Sequence, residues 1–279
     1  MGDWSIFPNI SMADWYPVVD GGSSYWTQID TANAGNTKGN FTPIISSTPY
    51  DCILCVQVSR FNYAGDFLID VAVGDAGSES VIVSNILFSR ASSAQYALTQ
   101  RVLIPKIIPS GTRISMRCQS TRTSTNSIFV NIGCHRIGSF LSGDFASKIT
   151  TYGDAAGDSG GTALDPGGSA NTKGSWVEIT SGLAFNTVGF YFCIGSQYNG
   201  NVTTGSWSMD LGIGGAGSEE IIVASFPITC YNNNHLFNPC VSEIFWIPIP
   251  AGTRFAARVQ SSITDATDRV IDFVLYGIS

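Results

Sequence analysis

The sequence predicts an all-β protein built of two tandem antiparallel β-sandwiches of jelly-roll type. Three observations carry that expectation: an internal repeat, alternation at period two within each repeat, and turn residues between the alternating runs. NTKGNF at residues 36–41 recurs as NTKGSW at 171–176, and FLIDVAVGDAGSESVIV at 67–83 recurs as WSMDLGIGGAGSEEIIV at 207–223. IPSGTRISMRCQST at 108–121 recurs as IPAGTRFAARVQSS at 249–262. The order is kept and the offset drifts by only a few residues, as an internal duplication would leave it.

Taken from the N-terminus, residues 1–35 stand outside the repeat and are rich in aromatics. They are predicted to form an arm that packs through Trp4, Phe7, Trp15, Tyr16 and Trp26 on its own sandwich or on a neighbouring subunit, since aromatic rings supply large contact areas. Residues 36–138 form the first predicted sandwich. Phe67, Ile69, Val71 and Val73 share one face of a strand, and Ile114, Met116 and Cys118 share one face of another. Residues 139–170 are predicted to be a glycine-rich connector, loop-like through GDAAGDSGGTALDPGGSA. Residues 171–279 form the second sandwich, where Trp207, Met209, Leu211 and Ile213 repeat the first face and Phe255, Ala257 and Val259 the second. Clusters of Gly, Asn, Ser and Pro separate the runs at the spacing of sandwich turns, and no segment carries a helical period.

Composition narrows the function. Only 13% of residues are charged, against about 25% in ordinary domains, so neutral polar groups must solvate the surface. A net charge of −7 with four lysines excludes a surface that tracks phosphates, and no nucleic-acid contact is expected. No apolar run is long enough to span a bilayer, and MGDWSIFPNI lacks the basic start and apolar core of a signal peptide. No membrane contact is expected, and synthesis in a reducing compartment is. Most of the seven cysteines sit in apolar runs and read as small hydrophobes. Cys52 and Cys55 point to opposite faces of a strand, which argues against zinc. Cys230 and Cys240, flanking YNNNHLFNP, are the candidates for a bridge.

GDSGG at residues 157–161 spells the surroundings of a chymotrypsin-type nucleophile. The chain has two histidines, His135 and His235, neither placed as that family places its base, so Ser159 is not expected to be catalytic. Asp70 with Arg117, and Asp210 with Arg258, recur in both halves and read as structural pairs across strands. SSITDATDRVID holds Asp265, Asp268 and Asp272 without calcium-loop spacing and reads as a solvated acidic loop. Asn-x-Ser/Thr strings at Asn9, Asn40 and Asn201 carry little weight without a secretion signal. No catalytic residue, cofactor site or metal site is predicted.

The GDxAGSE and IPxGTRxxxRxQS blocks resemble segments of virion structural proteins of tailed bacteriophages. That resemblance covers both repeats. It implies a non-enzymatic, self-associating decoration or fibre-like component, made in the host cytoplasm and located in the virion. The implied partners are other copies of the chain, a trimer being favoured, and other capsid or tail proteins. The alternative is a carbohydrate-binding protein that meets a host surface glycan through Tyr198, Tyr231 or His235.

Overall fold

Alternation at period two becomes strand across the chain. The structure, a computed structural model, describes residues 10–16, 26–63, 65–90, 100–137, 145–196, 205–230, 237–264 and 269–279. Its strands, in chain order, are β1 (Ile10–Tyr16), β2 (Thr27–Asp30), β3 (Thr42–Ile45), β4 (Cys52–Phe61), β5 (Gly65–Val73), β6 (Ser80–Arg90), β7 (Gln100–Ile108), β8 (Ile114–Ser120) and β9 (Ser127–Ile137). There follow β10 (Ile149–Tyr152), β11 (Asp154–Ala155), β12 (Gly160–Leu164), β13 (Val177–Thr180), β14 (Gly189–Ser196), β15 (Gly205–Ile213), β16 (Glu220–Cys230), β17 (Phe237–Asn238), β18 (Phe255–Ser261) and β19 (Ile271–Ile278).

Four sheets result. Sheet I runs β1-β9-β4-β7, with β2 also on β9, and sheet II runs β3-β8-β5-β6. Sheet III runs β10-β19-β12-β11, with β14 on the other side of β19, and sheet IV runs β13-β18-β15-β16-β17. The neighbouring strands are antiparallel in every sheet.

The sheets stack in the order I, II, III, IV, because the inner two bury both faces. Leu54, Val56 and Ile132 of sheet I share a core with Phe67, Ile69 and Met116 of sheet II. That core continues through Leu68 and Leu87 to Tyr191, Val274 and Tyr276 of sheet III. The other face of sheet III, with Phe192, Phe273 and Leu275, packs on Trp207, Met209 and Val259 of sheet IV. A strand with no wet side has no reason to alternate, and β19, IDFVLYGI, is buried at every position.

The recurring hexapeptide owes its residues to one carboxylate in each half. Asp70 accepts from Lys38 Nζ at 2.8 Å, from the Asn85 N–H at 3.0 Å and from Arg117 Nε at 2.8 Å. Asp210 accepts from Lys173 Nζ, the Ser225 N–H and Arg258 Nε, each at 2.9 Å. Asn85 and Ser225 are bulge residues at φ 52° and 53°, a backbone conformation that the carboxylate holds in place. The hexapeptide's aromatic supports the guanidinium, with Arg117 over Phe41 at 4.4 Å and Arg258 over Trp176 at 4.5 Å. Its Asn turns the chain at positive φ, 55° at Asn36 and 59° at Asn171. Its Gly lies so close to another backbone that a Cβ would stand 2.1 Å from the Asp30 carbonyl oxygen at Gly39, and 2.0 Å from that of Asp165 at Gly174.

Three expectations are corrected. Residues 1–35 are not all an arm outside the sandwich: β1 and β2 pair with β9 of their own sheet I. The connector is not loop-like throughout, since β10, β11 and β12 arise from it and pair within sheet III. Gly160 and Gly161 answer to close packing, for a Cβ on Gly161 would stand 2.6 Å from the Phe273 backbone. Each of the seven cysteines is a thiol, so the Cys230–Cys240 bridge is not formed. Burial pushes the Cys118 thiol up to about 12, which leaves it unreactive.

Burial opposes the charge on Asp70, but Lys38, the Asn85 N–H and Arg117 outweigh it and hold the carboxyl below its ordinary range. Asp70→Asn strands two cations, and we expect it to lower unfolding free energy in urea by about 3 kcal/mol, with Asp210→Asn behaving alike. Gly39→Ala and Gly174→Ala should each cost about 1 to 3 kcal/mol in the same assay through forced backbone movement. Gly157→Ala, where an added Cβ meets nothing within 4 Å, should stay within about 0.5 kcal/mol of the parent.

Candidate functional site

The seam between sheets II and III gathers the densest set of buried polar groups outside the two carboxylate nodes. Four segments build it. β5 and β8 present Asp66 and Gln119 from the face of sheet II turned away from sheet I, and β19 presents Asp272 from the face of sheet III turned away from sheet IV. The turn between β11 and β12 adds Asp158 and Ser159. Asp66 is 1% exposed, Asp272 4%, and Ser159 fully buried.

Ser159, the centre of GDSGG, sits at φ 61°, a strained setting for a residue with a side chain. Its hydroxyl donates to Asn36 Oδ1 at 2.8 Å and accepts from Gln119 Nε2 at 3.1 Å. Gln119 Nε2 also donates to the Ala156 carbonyl at 2.7 Å. A hydroxyl whose proton is committed to an amide oxygen has no base beside it, and His135 lies in sheet I against Trp15, on the far side of the first core. Ser159 is thus a tie between the halves, and the loop-like reading of GDSGG is corrected with it. The Gly160 N–H donates to Asp158 Oδ1 at 3.0 Å. A Cβ on Gly160 would stand 2.6 Å from Asp272 Oδ2, so only glycine lets the turn close over that carboxyl.

Asp66 and Asp272 act on one another across the seam. Burial raises Asp272 to about 6; the bond from Asp66 works against that rise and the nearby charge of Asp158 adds to it. Both carboxyls are shut away from bulk solvent. Sequence reading missed the pair, and placed Asp272 in a solvated loop, where the structure makes it a strand residue between two sheets.

A second feature is exposed. At one end of sheet III, Phe185, Val188 and Trp246 are 42%, 50% and 37% accessible. Trp246 lies over Gly189, where a Cβ would stand 3.1 Å from the indole. Phe185 carries the Lys148 ammonium 3.9 Å from its ring centre. The Val188 N–H donates to the Ile278 carbonyl, and Lys148 exchanges backbone bonds with Ser279, so these residues lie at the same end of sheet III, called here the ledge. Nothing in their spacing marked them.

The residues singled out from the sequence scatter. Trp15 lies on sheet I under Arg101, 5.3 Å from the ring centre, and over Gly133. Tyr16 is half-buried beside the same core, Trp26 is half-buried ahead of β2, and the Asp70–Arg117 and Asp210–Arg258 pairs are those of the nodes. Trp4, Phe7, Tyr198, Tyr231, His235, Asn9, Asn201, Asp265 and Asp268 lie outside the described residues.

No family model matches the chain, and no curated protein matches it. Among solved structures the chain is similar to PNGF-II, at 10% identity and TM-score 0.41, covering 91% of this chain and 65% of that one. The chain therefore spans about two thirds of that protein's length. It is similar to PNGase F, a glycosylasparaginase from Flavobacterium meningosepticum, at 8% identity, TM-score 0.33 and 96% of each chain. A peptide-N(4)-(N-acetyl-beta-D-glucosaminyl) asparagine amidase follows at 9% identity and TM-score 0.34, covering 91% and 96%. These neighbours are enzymes rather than virion proteins, and the expectation of a non-enzymatic virion structural protein is withdrawn against them. Likeness at this level transfers no activity and no residue.

Proposed function

We propose that this chain engages neutral saccharide at the exposed end of sheet III. The carrying observation is the ledge of Phe185, Val188 and Trp246. A sugar ring offers an apolar C–H face and a rim of hydroxyls, and an aromatic ledge among neutral hydrogen-bonding groups suits both. Asn186, Ser147 and Ser279 supply that neutral rim in the sequence around the ledge. Exposed apolar groups gathered in this way mark contact surfaces more often than scattered single residues do. The acidic net charge, −7, opposes a polyanionic ligand. Lys148 already rests on Phe185, and Lys106 Nζ donates to the Ser147 carbonyl. Gly189 is what lets the Trp246 indole lie against the sheet.

We also infer that the two halves descend from one duplicated unit. The support is geometric: β5–β8 and β15–β18 share their register, with Asp opposite Arg in both, and the bulge falls at the corresponding place. β1 and β2 pair with β9 in the way that β10 and β12 pair with β19. On that reading the unit begins near β1 and again near β10, earlier in each half than the recurring hexapeptide.

A glycan array probed with the full chain tests the ledge. Binding to neutral glycans is expected, with Trp246→Ala lowering affinity about tenfold or more, roughly 1.4 kcal/mol, and Phe185→Ala lowering it less. Retained binding in both variants, or no glycan binding by the parent, would overturn the reading.

A further inference from the structure

The two halves carry the same pair of carboxamides on the same scaffold, and only one pair is covered. In the first half Asn36 and Gln119 grip the turn between β11 and β12. Asn36 Oδ1 accepts from the Ser159 hydroxyl at 2.8 Å, and Gln119 Nε2 donates to that hydroxyl at 3.1 Å and to the Ala156 carbonyl at 2.7 Å. The corresponding residues of the second half are Asn171 and Gln260, identical in type.

Their backbones are set alike. The Asn36 N–H donates to the Ser120 carbonyl and the Asn171 N–H to the Ser261 carbonyl, both at 2.7 Å, and the two asparagines turn at φ 55° and 59°. Gln119 stands opposite Leu68 in the β5–β8 ladder, and Gln260 opposite Ser208 in the β15–β18 ladder. A lysine ties each asparagine's turn to that same strand position, with Lys38 Nζ donating to the Leu68 carbonyl at 2.9 Å and Lys173 Nζ to the Ser208 carbonyl at 2.8 Å. What differs is the cover. Gln119 is 3% exposed beneath the Ser159 turn, whereas Gln260 is half-buried and Asn171 exposed on the outward face of sheet IV.

We propose that Asn171 and Gln260 form a docking site for a tight turn of a partner protein, one that presents a serine or threonine hydroxyl together with the main-chain carbonyl three residues before it. The occupant follows from the first half, where Ser159 and the Ala156 carbonyl are what the same two amides hold. The chemistry is matched group by group. The hydroxyl donates to the asparagine oxygen and accepts from the glutamine nitrogen, whose second hydrogen is left for the carbonyl. The lining sets the kind of contact: where β5 places Asp66 and Leu68, β15 places Ser206 and Ser208 beside Gln260, a polar floor that suits a loop. A few neutral hydrogen bonds on such a floor make a weak, reversible contact. The site lies on the face of sheet IV and does not depend on the ledge at the end of sheet III.

A head-to-tail cyclised peptide of residues 152–164, which contains the β11–β12 hairpin, is the probe. Titrated into the isotope-labelled full chain, it should shift the side-chain amide signals of Asn171 and Gln260. Its affinity should fall about fivefold or more against Asn171→Gly, which keeps the positive φ, against Gln260→Ala, and when the peptide carries Ser159→Ala. If one protein variant fails to fold, the other decides. No shift of the two amides, or an affinity unchanged in a folded variant, overturns the site. Equal shifts from free N-acetylglucosamine, which also offers a hydroxyl and an amide carbonyl, overturn the assignment to a protein turn.

Discussion

Each half is organised by a carboxylate buried at a strand bulge. Asp70 and Asp210 each bind a lysine from an upstream turn, an arginine from the next strand and the backbone N–H of the bulge itself. One group thereby fixes where the turn docks, how two strands register and where the third bends. Burying a charge is costly unless its partners are complete, which is why a whole hexapeptide, from the positive-φ asparagine to the aromatic under the guanidinium, accompanies each one. With that node in place the apolar alternation of β5 and β15 has a definite face to present.

The two inner sheets then meet with both faces spent. Their contact is polar, with tyrosine, threonine and serine hydroxyls, a glutamine, an asparagine and four aspartates among the aliphatic groups. Tyr276 shows how closely these are matched, its hydroxyl accepting from the Leu87 N–H at 2.9 Å and donating to the Asn85 carbonyl at 2.8 Å. Such groups specify one docking of the halves, where greasy surfaces alone would allow several.

Strand content and the two nodes were legible because both repeat: Asp70 and Arg117 sit opposite one another in the ladder, and the sequence shows them twice. The layering was not legible. β14 and β19 are mostly apolar runs whose two faces look alike in a list of residues, and only packing reveals that each face belongs to a different core. The segment around GDSGG misled for a related reason. Its glycines suggest looseness, yet Gly160 and Gly161 are small because Asp272 and the Phe273 backbone press on them. The pairing of Asp66 with Asp272 joins opposite ends of the chain, beyond the reach of any local pattern, and the ledge of Phe185 and Trp246 depends on where a glycine happens to lie.

The outward face of sheet IV holds a further meaning. Where β5 sets Asp66 and Leu68 into the seam, the same places on β15 are Ser206, exposed, and Ser208, half-exposed beneath Lys173. A surface that in one half invites another sheet has, in the other, been made indifferent to one. With a leucine there instead, the last sheet of one molecule would offer a seat to the third sheet of the next, a head-to-tail contact that does not close on itself and grows without limit. Two serines leave that face of β15 polar where β5 is packed.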